Sequence, residues 1–292
     1  MEGIDKKTKR ATWPLPPNDK ISSKIPTKTV EYKGNRYYTQ RKLKKGETAD
    51  YLMSVTTWEN AIDKGIGFNR WLGNSSSYDS AMDYANKRAW IGTATHALCM
   101  YLCWSKEVDT SIGFYDDQEK KIRDIPDEIK MRLSAFIDFF DDKMPVTIAT
   151  EISLFNNRKY DDGTLEYPYA GTADQVMMID GKLWLVDIKT GAEYPKAQRL
   201  QLTAYKILYD SLYADETGPI DVLACLFLKA NGKYKLVKHK FVPESWDALL
   251  DFGYYHFSDL NGKFPVVREN EKLPTIYTLK EKKEDDGRSE EG

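Results

Sequence analysis

One dipeptide turn constrains the fold of this chain more than any other feature. Asp180-Gly181 separates two apolar runs, 175–179 and 182–188. Asp-Gly is a strong signal for a two-residue hairpin loop, because both loop positions take positive φ. With that loop, Ile179 faces Lys182, Met178 faces Leu183, and counting outward sets Asp174 opposite Asp187. Strand alternation puts Val176, Met178, Leu183 and Leu185 on one face and Met177, Ile179, Trp184 and Val186 on the other. A hairpin apolar on both faces belongs in a sheet covered on both sides, where charged residues enter when they are paired or ligating. Directly opposed residues have Cβ atoms roughly 4.5–5.5 Å apart, so two aspartates there repel. Lys189 projects from the same face as Asp187 by strand period. A divalent cation between the carboxylates would remove the repulsion, which makes this end of the hairpin a candidate metal site; a solvent-facing strand end is the plainer alternative.

The elements around the hairpin follow from periodicity. Val146–Phe155 reads as a strand, and the region 166–179 as a second with a bend near Pro168 or Gly171. Lys182–Lys189 is the third strand, Pro195–Leu212 a helix opening with proline at a permitted position, and Val222–Lys229 the fourth strand. Asn231-Gly232 then turns the chain into a strand over 234–241, followed by a helix over Pro243–Phe257. A helix between the third and fourth strands implies a crossover connection. Pro126–Phe140 forms an amphipathic helix with Ile129, Leu133, Phe136, Ile137 and Phe140 as its stripe, which makes the order αβββαβ. Upstream, Ser54-Val55-Thr56-Thr57 caps a helix over 58–72 weakened by Gly65 and Gly67. A longer helix spans Tyr78–Trp104, on which Ala89, Gly92, Thr93, His96, Cys99, Met100 and Cys103 share one side. The small residues on that side allow close approach to another element and carry His96 inward.

At 292 residues, 41% hydrophobic and 30% charged, the chain supports a globular α/β domain. Residues 1–28 read as a flexible leader, 29–279 as one domain divided into a hairpin and helical part (29–145) and a core (146–279), and 280–292 as a disordered charged tail. The N-terminus has no signal-peptide core and no apolar run reaches membrane-spanning length, so a cytoplasmic protein without a membrane partner is expected. Cys99, Cys103 and Cys225 form neither a disulfide framework nor a zinc pattern. Residues 1–50 hold thirteen Lys/Arg against six Asp/Glu, a charge of +7, so the rest of a chain of net charge −2 carries −9. A basic arm on an acidic body is compatible with a polyanionic partner. A hairpin beginning near Val30 carries Arg36, Tyr37, Tyr38, Arg41, Lys42, Lys44 and Lys45, an aromatic and basic mixture able to stack on bases and track phosphates; an ordinary exposed ribbon has the same composition.

Three segments, Gly171-Thr172-Ala173-Asp174, Asp187-Ile188-Lys189-Thr190-Gly191 and Gln201-Leu202-Thr203-Ala204-Tyr205, resemble the signature of the PD-(D/E)XK nuclease superfamily in its RecB-like exonuclease branch. Gly92-Thr93-Ala94-Thr95-His96 is similar to that branch's GTxxH helix, and Ser54-Val55-Thr56-Thr57 before a tryptophan-bearing helix resembles its phage and mitochondrial genome-maintenance members. The likeness covers about 51–229. Ala173 stands where the superfamily's name has proline, as is usual for this branch, and the cysteine set of its iron-sulfur members is missing.

The resemblance implies a restriction-endonuclease-like αβββαβ core, a mixed sheet flanked by helices with an N-terminal helical region. It implies Asp174, Asp187 and His96 as ligands of Mg²⁺ or Mn²⁺, assisted by the carbonyl of Ile188, with Lys189 positioning the attacking water. Gln201 and Tyr205 would steady the site, and Glu151 matches a position where related nucleases carry an acidic group. Thr190, Lys196 and Arg199 are candidate nucleic-acid contacts, although a solvated helix face also explains the last two. The implied activity is a metal-dependent DNA exonuclease acting at a free end of single- or double-stranded DNA in replication, recombination, repair or phage DNA processing, with a recombination or replication protein as an expected partner. A phage-encoded protein in a bacterial cytoplasm is implied in the same way. A structure-specific endonuclease, an RNase, a non-catalytic DNA-binding module and a hydrolase of another phosphate ester are the alternatives.

Overall fold

The computed structural model describes residues 4–5, 10–11, 28–32, 35–39, 52–62, 70, 73–105, 107–116, 120–156, 167 and 169–258. Its centre is the Asp-Gly hairpin. β9 (Tyr169–Ile179) and β10 (Lys182–Lys189) pair antiparallel from Ile179↔Lys182 to Gln175↔Val186, the register the turn dictates. Asp180 and Gly181 have φ of 49° and 71°, the two positive values such a loop needs.

β8 (Val146–Phe155) lies antiparallel along the other edge of β9. After β10 the chain rises through α4 (Pro195–Thr217) into β11 (Val222–Leu228), which runs parallel to β10. β12 (Tyr234–His239) closes that side antiparallel to β11, and α5 (Pro243–Phe257) follows. With α3 (Asp127–Lys143) ahead of β8 the order is the expected αβββαβ. The protein is therefore α/β, with a mixed central sheet between helices.

The sheet extends further than the sequence suggests. β3 (Lys28–Tyr32) and β4 (Asn35–Thr39) form the anticipated hairpin, but a three-residue strand, β5 (Leu52–Ser54), pairs antiparallel with β4 and parallel with β9. The eight strands make one sheet. Two short pairs lie outside it, β1 (Ile4–Asp5) with β2 (Arg10–Ala11) inside the segment read as a leader, and β6 (Phe114–Asp116) with β7 (Lys121–Arg123). Neither was anticipated, since strands of two or three residues carry no periodicity. The turn around 161–163 and the tail 280–292 lie outside the described residues.

Each sheet face has its own core, as the double alternation requires. Val176, Leu183 and Leu185 pack with Trp58, Leu202, Leu208, Tyr209 and Trp246 beneath α4, α5 and α1 (Val55–Glu59). Met177, Ile179, Trp184 and Val186 pack with Trp90, Ile91 and Leu98 of α2 (Tyr78–Ser105) and with Ile129 and Phe136 of α3. Two stripes are rotated from expectation. On α2 the bulky Trp90, Ile91 and Leu98 take the buried face together with Cys99 of the expected side, leaving Ala89 and Thr93 exposed and Gly92, His96, Met100 and Cys103 half-buried at its margin. On α3 it is Phe139 that is buried, while Ile137 is exposed. No described helix is long and apolar enough to cross a membrane.

Candidate active site

The site opens where β9 loses its partner. Along one edge β9 follows β8 from Ala170 to Met178; along the other it follows β10 only as far as Gln175, and meets β5 at Tyr169–Ala170. β10 stays with β11 through Lys189↔Phe227. The two central strands therefore diverge one residue before Asp174 and Asp187 would have paired. In place of a backbone carbonyl, Asp174 Oδ2 accepts the Ile188 N–H at 2.7 Å, and the cleft between the strand ends receives Asp174, Asp187 and Lys189.

The divergence gives the two aspartates different neighbours. Asp174 joins His96 and Glu151, which offer ligand atoms all within 4.8 Å of one another. Asp187 is outside that group and is tied to Lys189 Nζ at 2.6 Å. His96, Glu151 and Asp174 form a group that could hold a cation at this end of the hairpin, and the lysine relieves part of the aspartates' mutual repulsion. Glu151 faces the site, lying between the pairs Thr150↔Gln175 and Ile152↔Ala173 and so across from Asp174. Its φ of 47° is unusual for a non-glycine in a strand and costs about 1–3 kcal/mol. Such strain concentrates where side-chain placement matters more than backbone comfort. His96 arrives because α2 passes close: a Cβ on Gly92, one turn earlier, would stand 3.4 Å from Thr190 Oγ1 at the end of β10.

One imidazole nitrogen and two carboxylates suit a hard or borderline divalent ion such as Mg²⁺ or Mn²⁺. The electrostatics show a negative excess. Burial lowers the His96 pKa, yet the Asp174 carboxylate, 3.4 Å from Nδ1, outweighs it and brings the value to about 9. Burial and then the charge of Asp174 push Glu151 up to about 7. Burial also raises Asp187, against the opposing charge of Lys189. Lys189 itself is held above its ordinary value, because the aspartates outweigh its desolvation. It is an ammonium, a hydrogen-bond donor and a fixed positive charge rather than a base.

A relay fixes that ammonium. Lys189 Nζ donates to Gln201 Oε1 at 2.9 Å, and Gln201 Nε2 donates to the Tyr205 hydroxyl at 3.1 Å. Because an ammonium can only donate, the amide has one orientation. The Tyr205 ring lies over Gly171 of β9, where any Cβ would collide with it. Gln201 and Tyr205, which the four-residue spacing aligns on one face of α4, thus brace the Lys189 ammonium.

The end of β10 is clamped from the opposite face. Arg88 donates to the Thr190 carbonyl at 3.3 Å and pairs with Glu128 at 2.5 Å, while Arg132 bonds both Glu128 and the Leu228 carbonyl. Thr190 is thus part of the scaffold around the site, its hydroxyl against Gly92 and its carbonyl on Arg88.

Several proposed nucleic-acid contacts change. Tyr37 and Tyr38 are buried, at 4% and 5% exposure, and Tyr38 Oη lies 3.3 Å from Thr172 Oγ1. They are core residues without free faces for stacking, because β5 joins their hairpin to the main sheet. Arg36 is exposed, with its backbone N–H on Thr57 Oγ1. Arg41 and Lys42, with Lys44 and Lys45, lie outside the described residues. Arg199 is half-buried, and its charge lowers the pKa of His239 on β12 after burial has done so. It therefore sits on the side of α4 turned toward β12. Lys196 is exposed and lines a cleft of about 970 Å³ between α1 and the start of α4, with Lys189 and Gln201 also in its wall.

That cleft holds two residues that motif reading passed over. Glu59 closes α1, and its Oε1 is buried with no hydrogen-bond partner among the described residues. Burial, then the charge of Asp187, raise its pKa to about 8, although Lys189 opposes them. Tyr194, the residue before Pro195, is 61% exposed at the cleft wall. The only hint in the sequence was position, two residues after the Ser-Val-Thr-Thr segment for one and directly before the helix-opening proline for the other.

No family model matches the sequence, and no curated protein matches it. Eighteen chains of solved structures do. One is the crystal structure of SSO0001, 14% identical, with a TM-score of 0.29 over 45% of this chain. The match spans 61% of that structure's own length.

Proposed function

We propose that the protein is a divalent-metal-dependent nuclease that hydrolyses DNA phosphodiester bonds, acting from a free end, on a core of the restriction-endonuclease type. The observation that carries the reading is the convergence, at the divergence of β9 and β10, of the His96, Glu151 and Asp174 donors with the ammonium of Lys189. Mg²⁺ or Mn²⁺ bound by His96, Glu151 and Asp174 would polarise a phosphoryl oxygen and acidify a water. Lys189, charged and fixed by Asp187 and Gln201, would orient that water by donating to it and offset charge building on phosphorus. Asp187 orients the ammonium, and Asp174 is itself oriented by the Ile188 amide. The sequence resemblance points the same way, through the motifs that supply these residues.

The test is incubation with end-labelled linear single- and double-stranded DNA and with a closed circle, in Mg²⁺, Mn²⁺ and EDTA. Degradation of linear DNA that stops in EDTA and in the Lys189→Ala protein is expected. Undiminished turnover in either would overturn the mechanism, and cutting of the circle would assign an endonuclease instead.

A further inference from the structure

The cleft between α1 and α4 is continuous with the proposed catalytic centre, since Lys189 and Gln201 belong to both. Its chemistry is unlike that of a phosphate groove. Ile62, Tyr194, Pro195 and Ala197 give it apolar walls, and among its polar lining residues is a carboxyl, Glu59, with a buried oxygen that has no hydrogen-bond partner among the described residues. A carboxyl, protonated or ionised, offers an acceptor oxygen to the N–H groups of a base. Lys189 and Lys196, in the same wall, can receive the backbone. The exposed Tyr194 ring offers a stacking face, and a volume of about 970 Å³ suits a nucleotide-sized ligand rather than a duplex.

We propose that this cleft is a nucleotide subsite for a single DNA strand, in which the base beside the scissile phosphodiester stacks on Tyr194 and its polar edge hydrogen-bonds Glu59. The inference rests on the nuclease reading for its placement beside the scissile bond. Stacking on an aromatic ring requires a base free of its own stack, so the subsite selects unpaired strand over blunt duplex. It is tolerant of sequence, because every base has a π-face.

A single-stranded oligonucleotide with nuclease-resistant linkages and 2-aminopurine near its end, titrated with the Mn²⁺-loaded protein, reads the subsite without any turnover. Quenching on binding is expected for the wild type and for Tyr194→Phe. Tyr194→Ala should lose the quenching and bind about five-fold or more weakly, with an unchanged melting curve because the residue is exposed. Glu59→Ala should bind more weakly while the quenching at saturation persists. A blunt duplex carrying the same probe internally, where stacking on neighbouring bases already quenches it, should bind less well and show no further change in fluorescence. Unaltered affinity and quenching in Tyr194→Ala, unaltered affinity in Glu59→Ala, or equal binding of duplex would each overturn the proposal, as would no binding by the wild type. Cleavage measured separately on an unmodified strand keeps the two readings apart. Cleavage with no role for Tyr194 defeats the subsite alone, and quenching without cleavage in any metal defeats the nuclease alone.

Discussion

Gln201 Oε1 lies 2.9 Å from Lys189 Nζ, and through Gln201 the ammonium is braced against Tyr205 on the same helix. This contact places a helix residue in control of a strand residue, because the amide can face Lys189 only through its oxygen. Gln201→Ala should therefore lower kcat about 10–100-fold, the usual cost of removing a group that orients a reacting one. KM for DNA should stay near wild type. Gln201→Glu restores an acceptor and should recover part of the loss; equal defects in both variants would show that the contact does not orient the lysine.

Gly171 makes the brace possible. Gly171→Ala puts a methyl group into the Tyr205 ring, so the ring or β9 must shift. Overpacking of this kind costs about 1–3 kcal/mol, and a domain of this size should lose ~2–4 °C in Tm for each kcal/mol. Combining it with Tyr205→Leu, which leaves room, should recover stability without recovering activity. Thermal scans of the single and double variants check the first claim, and cleavage assays the second.

The proposed metal group predicts a ligand-dependent melting temperature. Mn²⁺ at about a hundred times its Kd stabilises a folded protein by about 2.7 kcal/mol when the unfolded chain does not bind. The rise in Tm should be small in His96→Ala and in Asp174→Asn, and near normal in Lys189→Ala, which removes no ligand. An equal rise in all of these would place the ion elsewhere.

Much of this centre was legible in the sequence because its determinants are local. The Asp-Gly turn sets the register of β9 and β10, alternation predicts two cores, and the four-residue spacing of Gln201 and Tyr205 aligns them on α4. What escaped depends on distant chain segments. β5 is only three residues long, yet by pairing with both β4 and β9 it converts the Tyr37-Tyr38 hairpin from a ribbon into sheet, and so buries those rings. The separation of Asp174 from Asp187 has the same origin, since β10 follows β11 while β9 follows β8. Glu59 gains its importance from the α4 cleft it faces, some 130 residues away along the chain, and no local pattern marks it.

Glu59 also carries a prediction about pH. Its folded pKa of about 8 exceeds the ordinary 4.5, because burial and Asp187 disfavour the carboxylate more than Lys189 favours it. Between those values the folded protein holds a proton that the unfolded chain has released, so the stability contributed by the protonated acid falls as pH rises from about 4.5 to 8. Above pH 8 the folded state bears a poorly solvated charge. Glu59→Gln removes the ionisation while keeping the shape, and should leave the metal-free protein more stable than wild type at pH 8.5 and little changed at pH 5. His96 and Glu151 give slopes of the same sign over about 6.5 to 9 and 4.5 to 7, so the variant should flatten the decline rather than abolish it. Urea melts of both proteins at pH 5, 7 and 8.5 in EDTA measure the difference directly. A gap between them that fails to widen with pH would mean that the Glu59 carboxylate is solvated or paired in solution.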